Sequence, residues 1–254
     1  YRLPKGILQS ETDAVKHMGG TFYYGRRLGE DITISSLFDA GYGAVFLGIG
    51  CAEGAYLGLP DEDRTLKGYR NGIDFLLQCE KGVAVNNPPV FEGDIVVVGC
   101  GNVAMDCCRT AQRTATGKVH VVYRRTIKEA SADHEEIEAA EAEGVEFHFL
   151  TNPVAIVSEN GEVTGVRVTK MELTEPDARG RRGVKAIPGS EFIIPCKTLI
   201  AAIGQKLERN VFSEADGVQL DRRGNISVTE ALATSRPGVF AGGDCATGPT
   251  TLIG

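Results

Sequence analysis

Short apolar runs alternate along the chain with segments in which apolar residues recur every three to four positions. Several of the runs are closed by glycine, a pattern typical of strands buried on both faces of a parallel sheet. The longer period indicates amphipathic helices, so the alternation predicts an α/β fold. Strands are predicted at 21–24, 43–50, 94–98, 118–123, 145–150, 191–194, 197–204 and 238–244, and helices at 6–18, 35–39, 71–81, 102–115 and 131–143.

Two supersecondary units stand out in this pattern. Residues 94–123 predict a strand, a glycine turn, a helix and a second strand, which is the start of a βαβ unit. Residues 154–157 and 163–173 alternate between apolar and polar positions around Asn160-Gly161, which predicts an antiparallel hairpin. A shorter hairpin is predicted within 218–228.

The net charge and the length of the apolar runs bear on which partners the chain can have. The 254 residues include 27 Lys and Arg against 34 Asp and Glu, for a formal net charge of −7. This balance lacks the basic footprint of a protein that binds nucleic acid. No apolar run approaches the roughly 20 residues that a membrane-spanning helix needs. We therefore expect neither a nucleic-acid partner nor a membrane span.

The cysteines and histidines indicate neither a metal site nor a catalytic triad. Seven cysteines, an odd number, indicate reduced thiols and a cytoplasmic protein. None forms a CxxC pair, and Cys107 and Cys108 are interpreted as packing thiols rather than a redox pair. We expect no metal and assign no catalytic side chain. The four histidines, which form no recognisable motif, are His17, His120, His134 and His148.

A dinucleotide fingerprint follows the strand at 94–98. The GxGxxA segment from Gly99 to Ala104 lies between a predicted strand and a predicted helix, the context that such a fingerprint requires. Glycines permit the tight turn and the close approach of backbone to a pyrophosphate, and the helix N-terminus favours its negative charge. The alternative is a purely structural glycine turn. Asp106 and Arg109 are interpreted as a surface ion pair.

The end of the next strand bears on cofactor choice. NAD-binding proteins place an acidic residue there, on the ribose 2′-hydroxyl. This chain instead has Arg124 and Arg125, and two guanidinium groups suit a 2′-phosphate. We therefore expect NADP(H) rather than NAD(H). The alternative is a pair of exposed arginines without a ligand.

Several motifs in the same order resemble one family. Together they are similar to the small (beta) subunit of NADPH-dependent glutamate synthase and to matching domains of dihydropyrimidine dehydrogenase and NADH-dependent ferredoxin:NADP reductase, all in the pyridine nucleotide-disulfide oxidoreductase superfamily. The resemblance covers essentially the whole chain. The motifs are Tyr1-Arg-Leu-Pro4, Gly101-Asn-Val-Ala-Met-Asp106, Tyr123-Arg-Arg125, Ala202-Ile-Gly204 and Ala241-Gly-Gly-Asp244.

The resemblance implies a fold and a set of cofactor contacts. It implies a Rossmann-like NAD(P)-binding domain inserted in an FAD-binding α/β domain that is partial, or truncated, in this chain. NADP(H) would contact Gly99, Cys100, Gly101, Asn102, Val103, Arg124 and Arg125, with Ala202, Ile203 and Gly204 near the nicotinamide. FAD would contact Arg2, Leu28, Gly50, Gly243, Asp244, Thr250 and Thr251, the two threonines opening a helix that faces the flavin. For Asp244, a helix N-cap is the alternative role.

The resemblance also implies how the chain divides. Residues 1–85 would belong to the FAD-binding domain and the crossing segment, 86–203 to the NADP-binding domain, and 204–254 to the return segment. The family's first FAD fingerprint and its N-terminal iron-sulfur cysteines would precede Tyr1. We therefore expect the FAD site to be incomplete in this chain and FAD to bind weakly or not at all.

The function implied is an oxidoreductase domain that accepts hydride from NADPH on FAD. Electrons would leave to an iron-sulfur domain or to the large subunit of a multi-component oxidoreductase, as in glutamate synthase. Alternatives are the electron-transfer part of an enzyme like dihydropyrimidine dehydrogenase or ferredoxin:NADP reductase, a nucleotide-binding module without flavin chemistry, and a free-standing NADP dehydrogenase.

Overall fold

A computed structural model describes residues 4–176 and 182–250. The α-helices of this part of the chain are α1 (Lys5–His17), α2 (Ile34–Asp39), α3 (Gly72–Ala84), α4 (Asn102–Thr114), α5 (His134–Ala142) and α6 (Asp244–Thr247). The strands are β1 (Val45–Leu47), β2 (Glu53–Gly54), β3 (Tyr69–Asn71), β4 (Ile95–Val98), β5 (Val119–Val122), β6 (Glu146–His148), β7 (Thr151–Glu159), β8 (Glu162–Pro176), β9 (Arg182–Ala186), β10 (Phe192–Pro195), β11 (Thr198–Ala201), β12 (Gln205–Lys206) and β13 (Val239–Ala241).

The chain divides into two compact units. Unit 1 combines Tyr1–Cys51 with Lys206–Gly254, and unit 2 is the continuous segment Ala52–Gln205. Unit 2 begins 34 residues before the domain boundary expected at 86. Residues 52–85 belong to it because β3 pairs with β11 and extends the sheet of unit 2 by one strand. The Asn-Asn-Pro-Pro turn at 86–89 lies inside unit 2.

A five-stranded parallel sheet forms the centre of unit 2, in the order β3-β11-β4-β5-β6. Successive side chains of a strand point to opposite faces of the sheet, so each buried strand contributes residues to a hydrophobic core on either face. Ile95 and Val97 of β4 pack in the cluster that contains α3, α4 and α5, whereas Val96 and Val98 pack against the strands of an antiparallel sheet. The predicted α/β class and the βαβ unit are confirmed.

The antiparallel sheet places β8 between β7 and β10, with β9 pairing the far end of β8. The β7–β8 hairpin turns at Asn160 and Gly161, whose φ angles are 51° and 78°. Two successive left-handed residues match the twist of a tight hairpin, and Asn-Gly is the pair that best tolerates them. The predicted hairpin is confirmed.

Unit 1 contains a two-stranded parallel sheet in which β1 pairs with β13. The strand predicted at 43–50 was expected to be buried on both faces, and this is wrong: Phe46 is 61% exposed while Val45 and Leu47 are buried. One face of β1 packs on the core of unit 1 and the other remains uncovered. The strand predicted at 21–24 is also wrong, because these residues pair with no strand in the part of the chain that the structure describes.

No helix in residues 4–176 and 182–250 is long and apolar enough to cross a membrane.

Candidate nucleotide-binding site

The glycine turn after β4 leaves no room for a side chain. Gly99 adopts a φ of 129°, and a Cβ at this position would lie 2.2 Å from the carbonyl oxygen of Ala202. Such a separation is far inside van der Waals contact, so any other residue would force the two backbone segments apart. Ala202 follows β11, the neighbour of β4, and its N–H donates to the Val98 carbonyl over 2.8 Å.

The N-terminus of α4 opens directly from this turn. Gly101 is its N-cap and provides no side-chain hydrogen bond, so the first N–H groups of the helix have no partner from a cap. The carbonyl of Cys100 accepts the N–H groups of Ser131 and Ala132, each over 3.2 Å. These bonds hold the turn against the segment before α5. The free donors and the helix dipole suit an anionic ligand.

Arg124 and Arg125 follow β5, the strand beside β4. Arg124 is exposed and makes no hydrogen bond or ion pair with a described residue. Arg125 is half-buried, and its fully buried Nε meets no acceptor among the described residues. A buried donor without an acceptor is costly unless a ligand supplies one. The pair therefore provides guanidinium donors for an oxyanion.

The backbone around these arginines is fixed from both sides. Leu150 N–H donates to the Arg125 carbonyl and Thr151 N–H to the Tyr123 carbonyl, each over 3.0 Å. Downstream, the Tyr123 hydroxyl donates to the Glu129 carbonyl over 2.6 Å. The side chains of Arg124 and Arg125 therefore extend from a backbone that hydrogen bonds hold in place.

The third predicted segment lies at the same edge of the sheet. Gly204 has a φ of 137°, and its carbonyl accepts the N–H of Ala55 over 3.0 Å. Ile203 is 46% exposed, so an apolar surface remains available beside the turn. Because β11, β4 and β5 are adjacent parallel strands, their carboxyl ends meet, which is where open α/β sheets bind ligands. The structure thus brings together the following predicted residues: Gly99, Cys100, Gly101, Asn102, Val103, Arg124, Arg125, Ala202, Ile203 and Gly204.

Arg109 is engaged by acidic residues of the neighbouring helix region. It forms ion pairs of 2.7 Å with Glu136 and 2.6 Å with Glu143, and Arg113 also reaches Glu143 over 3.0 Å. Hydrogen bonds from the two arginines lower the pKa of Glu143 to about 2. Glu136 and Glu143 lie 27 and 34 residues from Arg109 along the chain, so no local pattern indicates these ion pairs.

The cysteines of the site region are packing residues. Cys107 and Cys108 are completely buried, and all seven cysteines of the chain are free and buried. Burial raises the pKa of Cys100 to about 11 and that of Cys108 to about 12. These thiols remain protonated at neutral pH and are poor nucleophiles.

Predicted flavin contacts of unit 1 meet at the carboxyl ends of β1 and β13. Gly50 and Gly243 have φ angles of 63° and 70°, and a Cβ at either position would meet no atom of a described residue within 4 Å. The Cys51 thiol donates to the Asp244 carbonyl over 3.3 Å, which ties the two strand ends together. Open space therefore borders both glycines.

Asp244 begins α6 but does not cap it, since no side-chain capping bond forms at this helix. Its Oδ1 accepts the N–H of Thr250 over 3.1 Å, and its Oδ2 has no partner among the described residues. Leu28 packs, partly buried, against the core of unit 1. Arg2 and Thr251, and with Thr251 the expected helix start, lie outside the described residues.

Sequence reasoning missed Ser131 and the short 3₁₀ helix at Ile127–Glu129. Ser131 Oγ would lie only 3.0 Å from a Cβ at Gly101, so this hydroxyl borders the glycine turn. The Thr126 N–H donates to Glu129 Oε2 over 3.1 Å in a capping box. The Thr-x-x-Glu spacing is a readable capping signal, whereas no local signal indicates the position of Ser131.

The chain is similar in sequence to subunits of known oxidoreductases. The beta subunit of an NADP(+)-dependent formate dehydrogenase from Moorella thermoacetica is 43% identical, over 100% of this chain and 35% of that protein. The NADPH glutamate synthase small chain of Escherichia coli is 34% identical, over 100% of this chain and 56% of that protein. The chain thus spans about a third to just over half of these relatives.

Solved structures support the same fold. FprA from Mycobacterium tuberculosis, in complex with NADPH, superposes with a TM-score of 0.74 at 21% identity, covering 98% of this chain and 68% of that one. Thioredoxin reductase from T. acidophilum superposes with a TM-score of 0.60 at 20% identity, covering 83% and 60%. A family model described as pyridine nucleotide-disulphide oxidoreductase matches residues 15–253. The chain belongs to the pyridine nucleotide-disulphide oxidoreductase family.

Proposed function

We propose that unit 2 binds NADP(H) at the carboxyl edge of its parallel sheet. The turn from Gly99 to Val103 would hold the pyrophosphate through backbone N–H groups, and Arg124 and Arg125 would hold the 2′-phosphate. Ala202, Ile203 and Gly204 would border the nicotinamide. The observation that carries the proposal is the arginine pair, because Arg124 has no described partner and the buried Nε of Arg125 has no acceptor.

We further propose that unit 1 contributes part of an FAD site. Leu28, Gly50, Gly243 and Asp244 would border the flavin, with the free Oδ2 of Asp244 accepting a hydrogen bond from a ribityl hydroxyl. Hydride transfer from nicotinamide to flavin is the chemistry that the two cofactors supply when bound. The chain's own residues bind and orient them, and none is needed as a general acid or base.

The proposed domain plan is an NADP-binding segment inserted in an FAD-binding one. The order of the units supports it, since the two parts of unit 1 flank unit 2 along the chain. Relatives named as beta subunits or small chains support transfer of electrons to an iron-sulfur domain or a larger subunit. Glutamate synthase small chain activity is the specific form that the sequence motifs favour.

The arginine pair provides the test of cofactor choice. Replacing Arg124 and Arg125 together with Ala should weaken NADPH binding by about 10- to 100-fold, because charge-assisted hydrogen bonds to the 2′-phosphate are lost. NADH lacks that phosphate, so its affinity should change little. Isothermal titration calorimetry with both nucleotides measures the difference.

Arg167→Ala is the matched control, since Arg167 is exposed on β8 in the same unit. It should leave both affinities unchanged. Equal weakening of NADH and NADPH in the double variant would contradict the assignment of the arginines to a 2′-phosphate.

The FAD expectation has a separate test. The 254-residue chain is incubated with excess FAD, freed of unbound flavin and examined by visible absorbance. We expect a colourless protein that still binds NADPH, because the described part of unit 1 contains no strand–GxGxxG–helix cradle for a second pyrophosphate. A retained flavin band that bleaches with NADPH under anaerobic conditions would show that the chain already holds a working FAD site.

A further inference from the structure

Three metal-ligating side chains converge on strands β5 and β6 of unit 2. His120 Nδ1 lies 3.1 Å from His148 Nε2 and 3.3 Å from Glu146 Oε2. One ligand atom from each residue can be chosen so that all three lie within 4.8 Å of one another. His120 is buried, His148 is half-buried and Glu146 is exposed, so the group is open to solvent on one side.

The strand register creates this cluster. His120 stands opposite Glu146 in the parallel β5–β6 pair, and His148 follows Glu146 by two residues. Residues two apart in a strand share one face, and directly paired residues of neighbouring strands do so as well. All three side chains therefore project from the same face of the sheet at its β6 edge.

The distances suit ligands of a single ion. Two ligands bound about 2.0–2.1 Å from a tetrahedral zinc ion lie roughly 3.3 Å apart, close to the 3.1 and 3.3 Å observed. Two imidazole nitrogens and a carboxylate oxygen favour zinc and its transition-metal neighbours over Mg²⁺ or Ca²⁺. Three protein ligands would leave the fourth tetrahedral position of such an ion to water.

A second carboxylate, that of Asp94, lies on the side of the His120 ring that faces away from the cluster. With Nδ1 of His120 turned towards the cluster, its Nε2 lies 3.8 Å from Asp94 Oδ2. Metal-bound histidines commonly direct their other ring N–H to a carboxylate, which fixes the tautomer and strengthens the ligand. Asp94 is held in place because its Oδ1 accepts the Lys118 N–H over 2.8 Å.

Two lysines also border the cluster. Lys118 Nζ contacts Glu146 Oε1 over 2.6 Å, which leaves Oε2 facing His120. Lys170 lies near His148 and donates to Thr151 Oγ1 over 3.3 Å. The two carboxylate side chains, Glu146 and Asp94, match the two lysines in number, so the formal charges around the cluster offset one another.

We propose that His120, Glu146 and His148 bind one divalent transition-metal ion, of which Zn²⁺ is the expected occupant, and that the ion fastens edge strand β6 to β5. The proposal departs from the expectation of no metal site, which rested on the cysteine spacing and on histidines that form no recognisable motif. It is independent of the proposed function, because none of the three residues is assigned to nucleotide or flavin.

The test titrates Zn²⁺ alone into the full chain, first treated with a chelator, by isothermal titration calorimetry. We expect one Zn²⁺ per chain and a Tm raised by a few degrees, since a ligand that binds only the folded state stabilises it. His148→Gln and Glu146→Gln should each weaken Zn²⁺ binding by about tenfold or more. Asp94→Asn, which retains the oxygen that accepts the Lys118 N–H, should weaken it by a smaller factor.

His134→Gln is the matched control, because His134 is exposed at the start of α5 and outside the cluster. It should leave the affinity for Zn²⁺ unchanged. Circular dichroism establishes that each variant is folded before it is titrated. The proposal is overturned if the unaltered chain binds no stoichiometric Zn²⁺, or if folded His148→Gln and Glu146→Gln bind Zn²⁺ as tightly as the His134→Gln control.

Discussion

Gly99 connects β4 to α4 at the point where the neighbouring strand β11 also ends. Its backbone conformation belongs to the region that disfavours a side chain, and the Ala202 carbonyl occupies the place of a Cβ. Two separate physical reasons, strain and collision, therefore require glycine here. The strained backbone conformation is predicted by the glycine motif in the sequence. The collision depends on the pairing of β4 with β11, which only the tertiary structure shows.

Gly99→Ala should reduce the free energy of unfolding by about 3 kcal/mol or more, because the added methyl group separates two paired strand ends. Gly189→Ala is the matched control: Gly189 has a φ of 72° but open space around its Cβ, so only the conformational cost applies. That cost is about 1–2 kcal/mol. Urea denaturation measures the free energy of unfolding of both variants. Equal decreases in the two variants would contradict a collision between a Cβ at position 99 and the Ala202 carbonyl.

Helices α4 and α5 are joined at their surfaces by a network of charges. Arg109 is only 15% exposed at its side chain and contacts Glu136 and Glu143, and Arg113 adds a second bond to Glu143. Networks of ion pairs with bidentate arginines contribute more to stability than isolated surface ion pairs do. The network therefore holds α5 against the helix that opens at the glycine turn.

The depressed pKa of Glu143 predicts how stability depends on pH. The pKa of Glu143 in the folded chain is about 2, below the ordinary value of 4.5. Its contribution to the free energy of unfolding is therefore fully present above about pH 4.5 and is lost as the pH falls towards 2. Glu143→Gln should cost roughly 1–2 kcal/mol at pH 7 after solvent screening and should flatten the stability profile in that range.

Chemical denaturation at a series of pH values measures this profile. Glu138→Gln, an exposed position on α5, is the control and should leave the profile unchanged. A Glu143→Gln profile that still falls as steeply as that of the unaltered chain between pH 5 and pH 2 would contradict the role given to Glu143.

The whole molecule consists of one unit with a continuous chain and one assembled from two distant segments. Both hydrophobic clusters of unit 2 draw all their residues from 52–205. The cluster of unit 1 requires both segments, because Val45 and Leu47 pack with Val239 and Ala241. The two units should therefore differ in their ability to fold from an isolated piece of chain.

A fragment of residues 52–205 should fold, unfold cooperatively in urea and bind NADPH with nearly the affinity of the full chain. A fragment of residues 1–51 should remain unfolded, since β1 would lack its partner strand β13. Circular dichroism and nucleotide titration test both statements. A 52–205 fragment that is unfolded in buffer would show that unit 2 needs unit 1 for stability.

Local patterns determined much of this fold from sequence alone. The buried strand β4, helix α4 and the β7–β8 hairpin arise from residues close together in the chain, whose period and turn chemistry select one local structure. The glycine turn and the arginine pair were identified for the same reason, since each follows a predicted strand at a fixed spacing.

Tertiary structure alone decided which distant residues became neighbours. Strand β3 joins the sheet beside β11, Ser131 borders the glycine turn, and His120 meets His148 across paired strands. It also decided that Phe46 is exposed, because a strand is buried only where another layer covers it. Local sequence specifies the period and ends of an element, whereas strand pairing and coverage depend on burying apolar surface from the whole chain.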